Sequence, residues 1–392
     1  MIEKAFAGSR TYWAWLIFLL VVIGTGFFCY LRQWNEGLSI TGLSRNISWG
    51  LYIANFTFFV GVAASAVMVV LPYYLHHTEG FGKMTVLGEF LAVGAVIMSV
   101  LFIFADLGQP ARVLNVLLYP SPSSLLFWDM IVLNGYLLLN LLIGWASLDA
   151  EQKGEPPVRW AKPLVFVSIP WAVSIHTVTA FIYSGLGARP FWLTALLAPR
   201  FLASAFASGP ALLIMLSLIL KRYSGFDAGK ATIQKIAQIA TYALAITIFF
   251  LLVEMFTVFY SNVPEHREHF EYLLFGLSGQ SSLVPWAWSS FFLVAIAFIL
   301  LINPATRKRE PLLFFACLAA FIAMWIDKGL GLIVPGFIPS PLGEITTYAP
   351  TLPEILITAG IWGCGFLVIS LLYKTVVAGR AGKQTMDDRP AS

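Results

Sequence analysis

Ten stretches of this 392-residue chain are long and apolar enough to cross a lipid bilayer: 11–31, 46–75, 84–106, 123–148, 161–184, 200–220, 233–261, 284–303, 311–329 and 352–374. A bilayer's hydrocarbon core takes about 20 mostly apolar residues in a helix. Lipid offers no partner to open backbone groups, so every such span must satisfy its own as a helix. The expected fold is an all-α integral membrane protein of about ten transmembrane helices. Composition agrees: 59% of residues are hydrophobic and 11% charged, against about 45–50% and about 25% in soluble domains. That balance excludes an ordinary soluble enzyme, a disordered chain and a nucleic-acid binder. No long polar insertion interrupts the spans, so residues 1–392 read as one membrane domain.

The first span is read as a retained helix. Its apolar stretch is long, and no small-residue cleavage pattern follows Tyr30-Leu31-Arg32. With the N-terminus inside, 17 of the 24 lysines and arginines fall on inner segments. That bias places both termini in the cytoplasm of a multi-pass protein of the cell membrane. The outer segments 262–283 and 330–351 are long and poor in positive charge, suited to covering or contacting a partner. A faint repeat is also visible. Ser123-Ser124-Leu125-Leu126-Phe127-Trp128 is echoed by Ser281-Ser282-Leu283-Val284-Pro285-Trp286, and Ala63-Ala64-Ser65 by Phe206-Ala207-Ser208. It predicts two parallel four-helix bundles, spans 2–5 (46–184) and 6–9 (200–329), flanked by 11–31 and 352–374. Small residues at those positions equally serve ordinary helix packing.

Ionisable residues are costly in lipid and mark function by default. Here they are Glu89, Asp106, Asp129, His176, Glu254, Asp327 and Glu354. Asn55, Asp106, Asp129 and His176 fall in the outer half of spans 2–5, one on each helix, which predicts a shared pocket. His176, Thr179 and Tyr183 follow helical spacing and share a stripe, as do Asp129, Tyr136 and Asn140. Pro170 kinks the same helix below His176. The competing readings are structural: Asp129 as a cap or ion-pair partner, Asp106 as part of a turn, Glu254 paired across the second bundle. Glu89, in the inner half of span 3, reads as a proton uptake group or as an interfacial residue. Asp327-Lys328 reads as a neighbouring charge pair at a helix end.

The inventory also excludes chemistry. Bis-histidine haem needs two facing intramembrane histidines. Of the five, His76 and His77 fall at the inner end of span 2, and His266 and His269 in an outer loop. Only His176 is intramembrane, so no haem is expected. Cys29, Cys317 and Cys364 sit singly, so no iron–sulfur cluster is expected, and no metal site. No Walker A, HExxH or Gly-rich nucleotide motif occurs. Any redox role would therefore pass its electrons to a partner.

Four motifs resemble the NrfD/PsrC family, the membrane subunits of polysulfide-reductase-like complexes. They are Trp49-Gly50-Leu51-Tyr52-Ile53, Asp106-Leu107-Gly108-Gln109-Pro110-Ala111-Arg112, Leu126-Phe127-Trp128-Asp129 and Ser174-Ile175-His176-Thr177. The ten-span length and Pro199-Arg200-Phe201 through Ser208-Gly209 are similar to its longer HybB-like branch. The wording of 41–145 resembles the DsrP branch most, the membrane subunits of sulfite-reductase-linked complexes. The resemblance covers nearly the whole chain. It implies a cofactor-free, quinone-reactive subunit with a menaquinol site in the first bundle near the outer face. An outer iron–sulfur (ferredoxin-like) subunit would dock there, beside other membrane and cytochrome subunits, in the sulfur or sulfate metabolism that the DsrP likeness implies. Asp129 and His176 match the family's site residues, and Asp106 and Arg112 its DLGxPxR motif. Some relatives carry a histidine where this chain has Ala63-Ala64-Ser65, which weakens any proton path through that point.

Pocket and resemblance coincide. Quinol oxidation releases two electrons and two protons, and a base near the working pH must take a proton. His176 is of the right type, with an unperturbed pKa of about 6.5. Asp129 can orient it or take the second proton. Tyr52, Asn55, Thr179 and Tyr183 are expected to line the headgroup slot, with Phe56, Phe59 and Trp128 as apolar walls. Glu89 and Glu254 are candidates for a proton path. Two rival readings remain open: an ion or anion transporter, and a passive anchor.

Overall fold

The structure is a computed structural model and describes residues 8–74, 81–153 and 158–387. His76 and His77 lie outside the described residues. Among the described residues the regular structure is helical, and nine helices have the length and composition of a membrane span. The protein is an all-α, multi-pass integral membrane protein. Its main helices are α1 (Arg10–Glu36), α2 (Leu51–Ala63), α3 (Ser65–Tyr74), α4 (Gly82–Asp106), α5 (Leu125–Lys153), α6 (Ala161–Ser184), α7 (Leu197–Ser224), α8 (Lys230–Ser261), α9 (Pro264–Leu274), α10 (Val284–Ile302), α11 (Glu310–Trp325) and α12 (Leu352–Asp387).

Two of the expected spans differ in kind. Span 46–75 is not one helix: it divides at Ala64 into α2 and α3, where Val67 N–H bonds back to the Ala64 carbonyl in a tightened turn. Span 311–329 runs from α11 into a π-helical turn, Ile326–Leu330, and then Gly331–Ile333. The π turn widens the helix by one residue and changes the direction of the side chains within it.

Burial sorts the helices. Every residue of α2 is buried, because it runs through the middle of the molecule and packs on α4, α6, α7 and the π turn. α4 packs in turn on α5 and α12, α5 on α6, α7 on α8 and α11, and α10 on α11 and α8. α1 leans on α12, where Gly26 meets Gly360. A Cβ on Gly26 would sit 2.7 Å from the Gly360 Cα, so only glycine allows this crossing. The outer faces of α1 and α8 carry exposed Trp15, Phe18, Phe28, Phe249, Phe256 and Tyr260. In water these would be a liability; against lipid they are the expected surface.

The start of α2 is tied from far along the chain. Leu51 N–H donates to the Tyr348 hydroxyl at 2.7 Å. Tyr348 donates to buried Glu354, which also accepts Gly42 N–H at 3.0 Å. A helix start leaves its first N–H groups without internal partners. Here the segment preceding α12 supplies one.

Candidate functional site

The α6 stripe is buried as its spacing predicts: His176, Thr179 and Tyr183 are each at most 1% exposed. Each meets a different neighbour. Thr179 donates from Oγ1 to Asp129 Oδ1 at 2.7 Å, joining α6 to α5 inside the membrane. The same hydroxyl lies 2.7 Å from the Ile175 carbonyl, so its single proton serves one acceptor at a time. Tyr183 shares a hydrogen bond with the Thr57 hydroxyl of α2. Its ring packs among Trp49, Trp192 and Phe201 at centroid distances of 5.7, 5.4 and 6.0 Å.

His176 differs from both. Neither ring nitrogen has a side-chain partner among the described residues; the ring approaches the Ala172 carbonyl one turn back on the same helix, outside good hydrogen-bond geometry. A buried polar group left so costs about 1–3 kcal/mol. Packing alone gives no reason to keep an imidazole there. The same holds for Glu89 on α4, buried with both carboxyl oxygens unpartnered among the described residues. Asp106, at the end of α4, has one unpartnered oxygen.

The remaining expected lining residues face elsewhere. Tyr52 donates its hydroxyl to Gln33 Oε1 at 2.7 Å, and Gln33 binds the Ala105 carbonyl at 2.6 Å. Asn55 accepts from the indole N–H groups of Trp325 and Trp362 at 3.0 and 2.9 Å. Phe59 stacks on Phe102 and meets Trp362 edge-on. These three point from α2 toward α1, α4, α11 and α12, while Thr57 points toward α6. Residues three and four apart share a face, so Tyr52, Asn55 and Phe59 travel together. Trp128 is 45% exposed and donates to the Pro122 carbonyl; Arg112 is exposed in the turn Pro110–Arg112. They sit at the rim.

Glu254 is held by an ion pair. Arg200 pairs with it and, through its other terminal nitrogen, with Asp327 at 2.7 Å. Asp327 is therefore paired with α7 and not with Lys328 beside it. Lys328 turns the other way and lies buried, its Nζ 4.4 Å from the Phe201 ring centroid and 3.3 Å from the Phe201 carbonyl. The π turn separates the two neighbours. Thr57, Phe201 and Lys328 join the α6 stripe at one seam between α2, α6, α7 and the π turn. No spacing rule in the sequence brings them together. The one usable signal was Lys328 itself, a cation inside an apolar stretch.

A family profile described as polysulphide reductase, NrfD, matches residues 39–339. The chain is 26% identical to a protein of Halobacterium salinarum named as a membrane subunit of dimethyl sulfoxide reductase, over 91% of this chain and 89% of that one. It is 23% identical to an Hdr-like menaquinol oxidoreductase integral membrane subunit of Archaeoglobus fulgidus, over 98% and 99%. It is 22% identical to a menaquinone reductase integral membrane subunit of Nitratidesulfovibrio vulgaris, over 92% and 90%. These matches run nearly end to end, so they concern the whole membrane domain and not one shared motif; the chain belongs to the NrfD polysulphide reductase family.

Proposed function

We propose that this chain is the quinone-reactive membrane subunit of a multi-subunit respiratory redox complex. It would exchange electrons between menaquinol and an iron–sulfur, ferredoxin-like partner while holding no haem or cluster itself. The observation that carries the reading is the buried Asp129–Thr179 pair, Thr179 lying on the same α6 stripe as His176, whose ring nitrogens have no side-chain partner among the described residues. Two relatives named for menaquinol or menaquinone support it.

The chemistry follows from the groups. A quinol losing two electrons must also lose two protons. His176 takes one at a ring nitrogen, and Asp129, held by Thr179, takes the other; reduction of a quinone runs both steps backwards. The aromatic residues around Tyr183 keep water away and leave an apolar wall for the ring. On the orientation read from lysines and arginines, the site lies in the outer half of the membrane and the partner docks on the loops after α4 and α6. Other membrane and cytochrome subunits would complete the assembly, in sulfur or sulfate metabolism by the wording of 41–145. Glu89 serves proton supply. Glu254, bound to Arg200, is better placed to hold α7 and α8 together.

Titration of the purified protein with a fluorescent quinone-site inhibitor tests this. Saturable quenching near one site per chain is expected, weakened about tenfold or more in His176→Ala and Asp129→Asn. Absence of saturable binding in folded, partner-bound protein overturns the reading and makes transport assays in vesicles the next step.

A further inference from the structure

Lys328 takes no part in the reading above. It is 3% exposed inside a membrane helix, where an ammonium is among the costliest groups to place. Its backbone is π-helical, a rare conformation found mostly as single turns at functional sites. Room for the ammonium is built in from α2. A Cβ on Gly61 would lie 2.9 Å from Nζ, so any larger residue there crowds the charge. Gly329 lets the π turn approach the Ala54 carbonyl of the same helix.

The ammonium is also under-used. The neighbouring carboxylate, Asp327, is held by Arg200, which also binds Glu254, and no carboxylate is in ion-pair range of Nζ among the described residues. Its one hydrogen bond, to the Phe201 carbonyl, is long at 3.3 Å, and the Phe201 ring covers one side. An ammonium has three donors. Phe201 in turn touches Tyr183, on the His176 stripe. One seam therefore holds a cation with donors to spare and an imidazole with no side-chain partner among the described residues. Their common missing partner is a small molecule with oxygen acceptors at its edge and a flat apolar body.

We propose that Lys328 is a headgroup-binding residue, donating from Nζ to one oxygen of the quinone and favouring that oxygen in its negatively charged form. Lys328 keeps its proton, and no bond is made or broken at Nζ. The inference rests on the quinone reading and adds to it a second wall, contributed by α7 and the π turn and not by spans 2–5.

Two naphthoquinones of one shape test it. A 2-hydroxy-3-alkyl-1,4-naphthoquinone is an anion at neutral pH; its 2-methyl counterpart is neutral. Both are titrated into the purified full-length protein by displacement of the fluorescent inhibitor. An ammonium in a low-dielectric site favours the anion, so wild type is expected to prefer it by about tenfold or more. In Lys328→Met the preference falls toward one while the neutral compound binds within about twofold of wild type. A folding defect would weaken both compounds alike and leave their ratio unchanged. Gly61→Ala, which keeps the charge and displaces it, should lower the same ratio and serves if Lys328→Met does not fold. A preference retained in both variants overturns the role of Lys328, even if His176→Ala abolishes binding and so upholds the quinone site. Failure of wild type to bind either compound overturns both.

Discussion

Thr179 shows how one hydroxyl sets the state of a buried carboxylate. Its proton is shared between Asp129 and the Ile175 carbonyl. Thr179→Val keeps shape and removes the donor, leaving Asp129 buried without this partner. The expected loss is about 1–3 kcal/mol in stability, read by denaturant unfolding in detergent, with Thr179→Ser close to wild type. His176 was legible from the sequence by elimination, as the lone histidine well inside a span. Its stripe with Thr179 and Tyr183 was legible from helical spacing. The contacts of Tyr52, Asn55 and Phe59 were not: spacing groups residues on a face but does not say which neighbour that face meets.

At the scale of elements, close crossings depend on glycine. Gly26 and Gly360 let α1 and α12 touch along their backbones. Gly26→Leu should push the two helices apart at a cost of about 1–3 kcal/mol, visible as faster cysteine labelling of Cys29 on α1. The short helix α9 depends on a histidine outside the spans. His269 Nδ1 lies 2.7 and 2.8 Å from the carbonyls of Pro335 and Ile338. Burial holds its pKa below the ordinary histidine value, outweighing the two carbonyl contacts, which act the other way. The unfolded segment therefore binds a proton more readily than the folded one. Stability from this group is present above about pH 6.5 and is lost as pH falls through the lower folded-state value. Hydrogen-exchange protection across 264–274 and 335–338, taken relative to the intrinsic exchange rate at each pH, should fall on acidification, and His269→Gln should remove that dependence. The span starts were legible to within about five residues because apolar length is a local property. The break at Ala64 and the π turn were not, since both answer to packing at the central seam.

For the whole molecule, Arg200 is the main ionic tie between α7, α8 and the π turn. Removing one partner of a buried ionic cluster costs about 3–5 kcal/mol because the remaining charges are stranded. Arg200→Met should lower the thermal midpoint in detergent far more than Glu254→Gln, which leaves Arg200 still paired with Asp327. By itself the sequence determined that the chain lives in a bilayer, roughly where its spans lie, and that polar groups are buried on particular stripes. Hydropathy and periodicity are carried by neighbouring residues, so a single chain discloses them. Only the tertiary structure decided that Asp327 and Lys328 part company, that Arg200 gathers two carboxylates, and that Thr57, Phe201 and Lys328 join the α6 stripe. Those pairings link residues far apart in the chain, and the energy that selects them arises at the contact, where no local pattern records it.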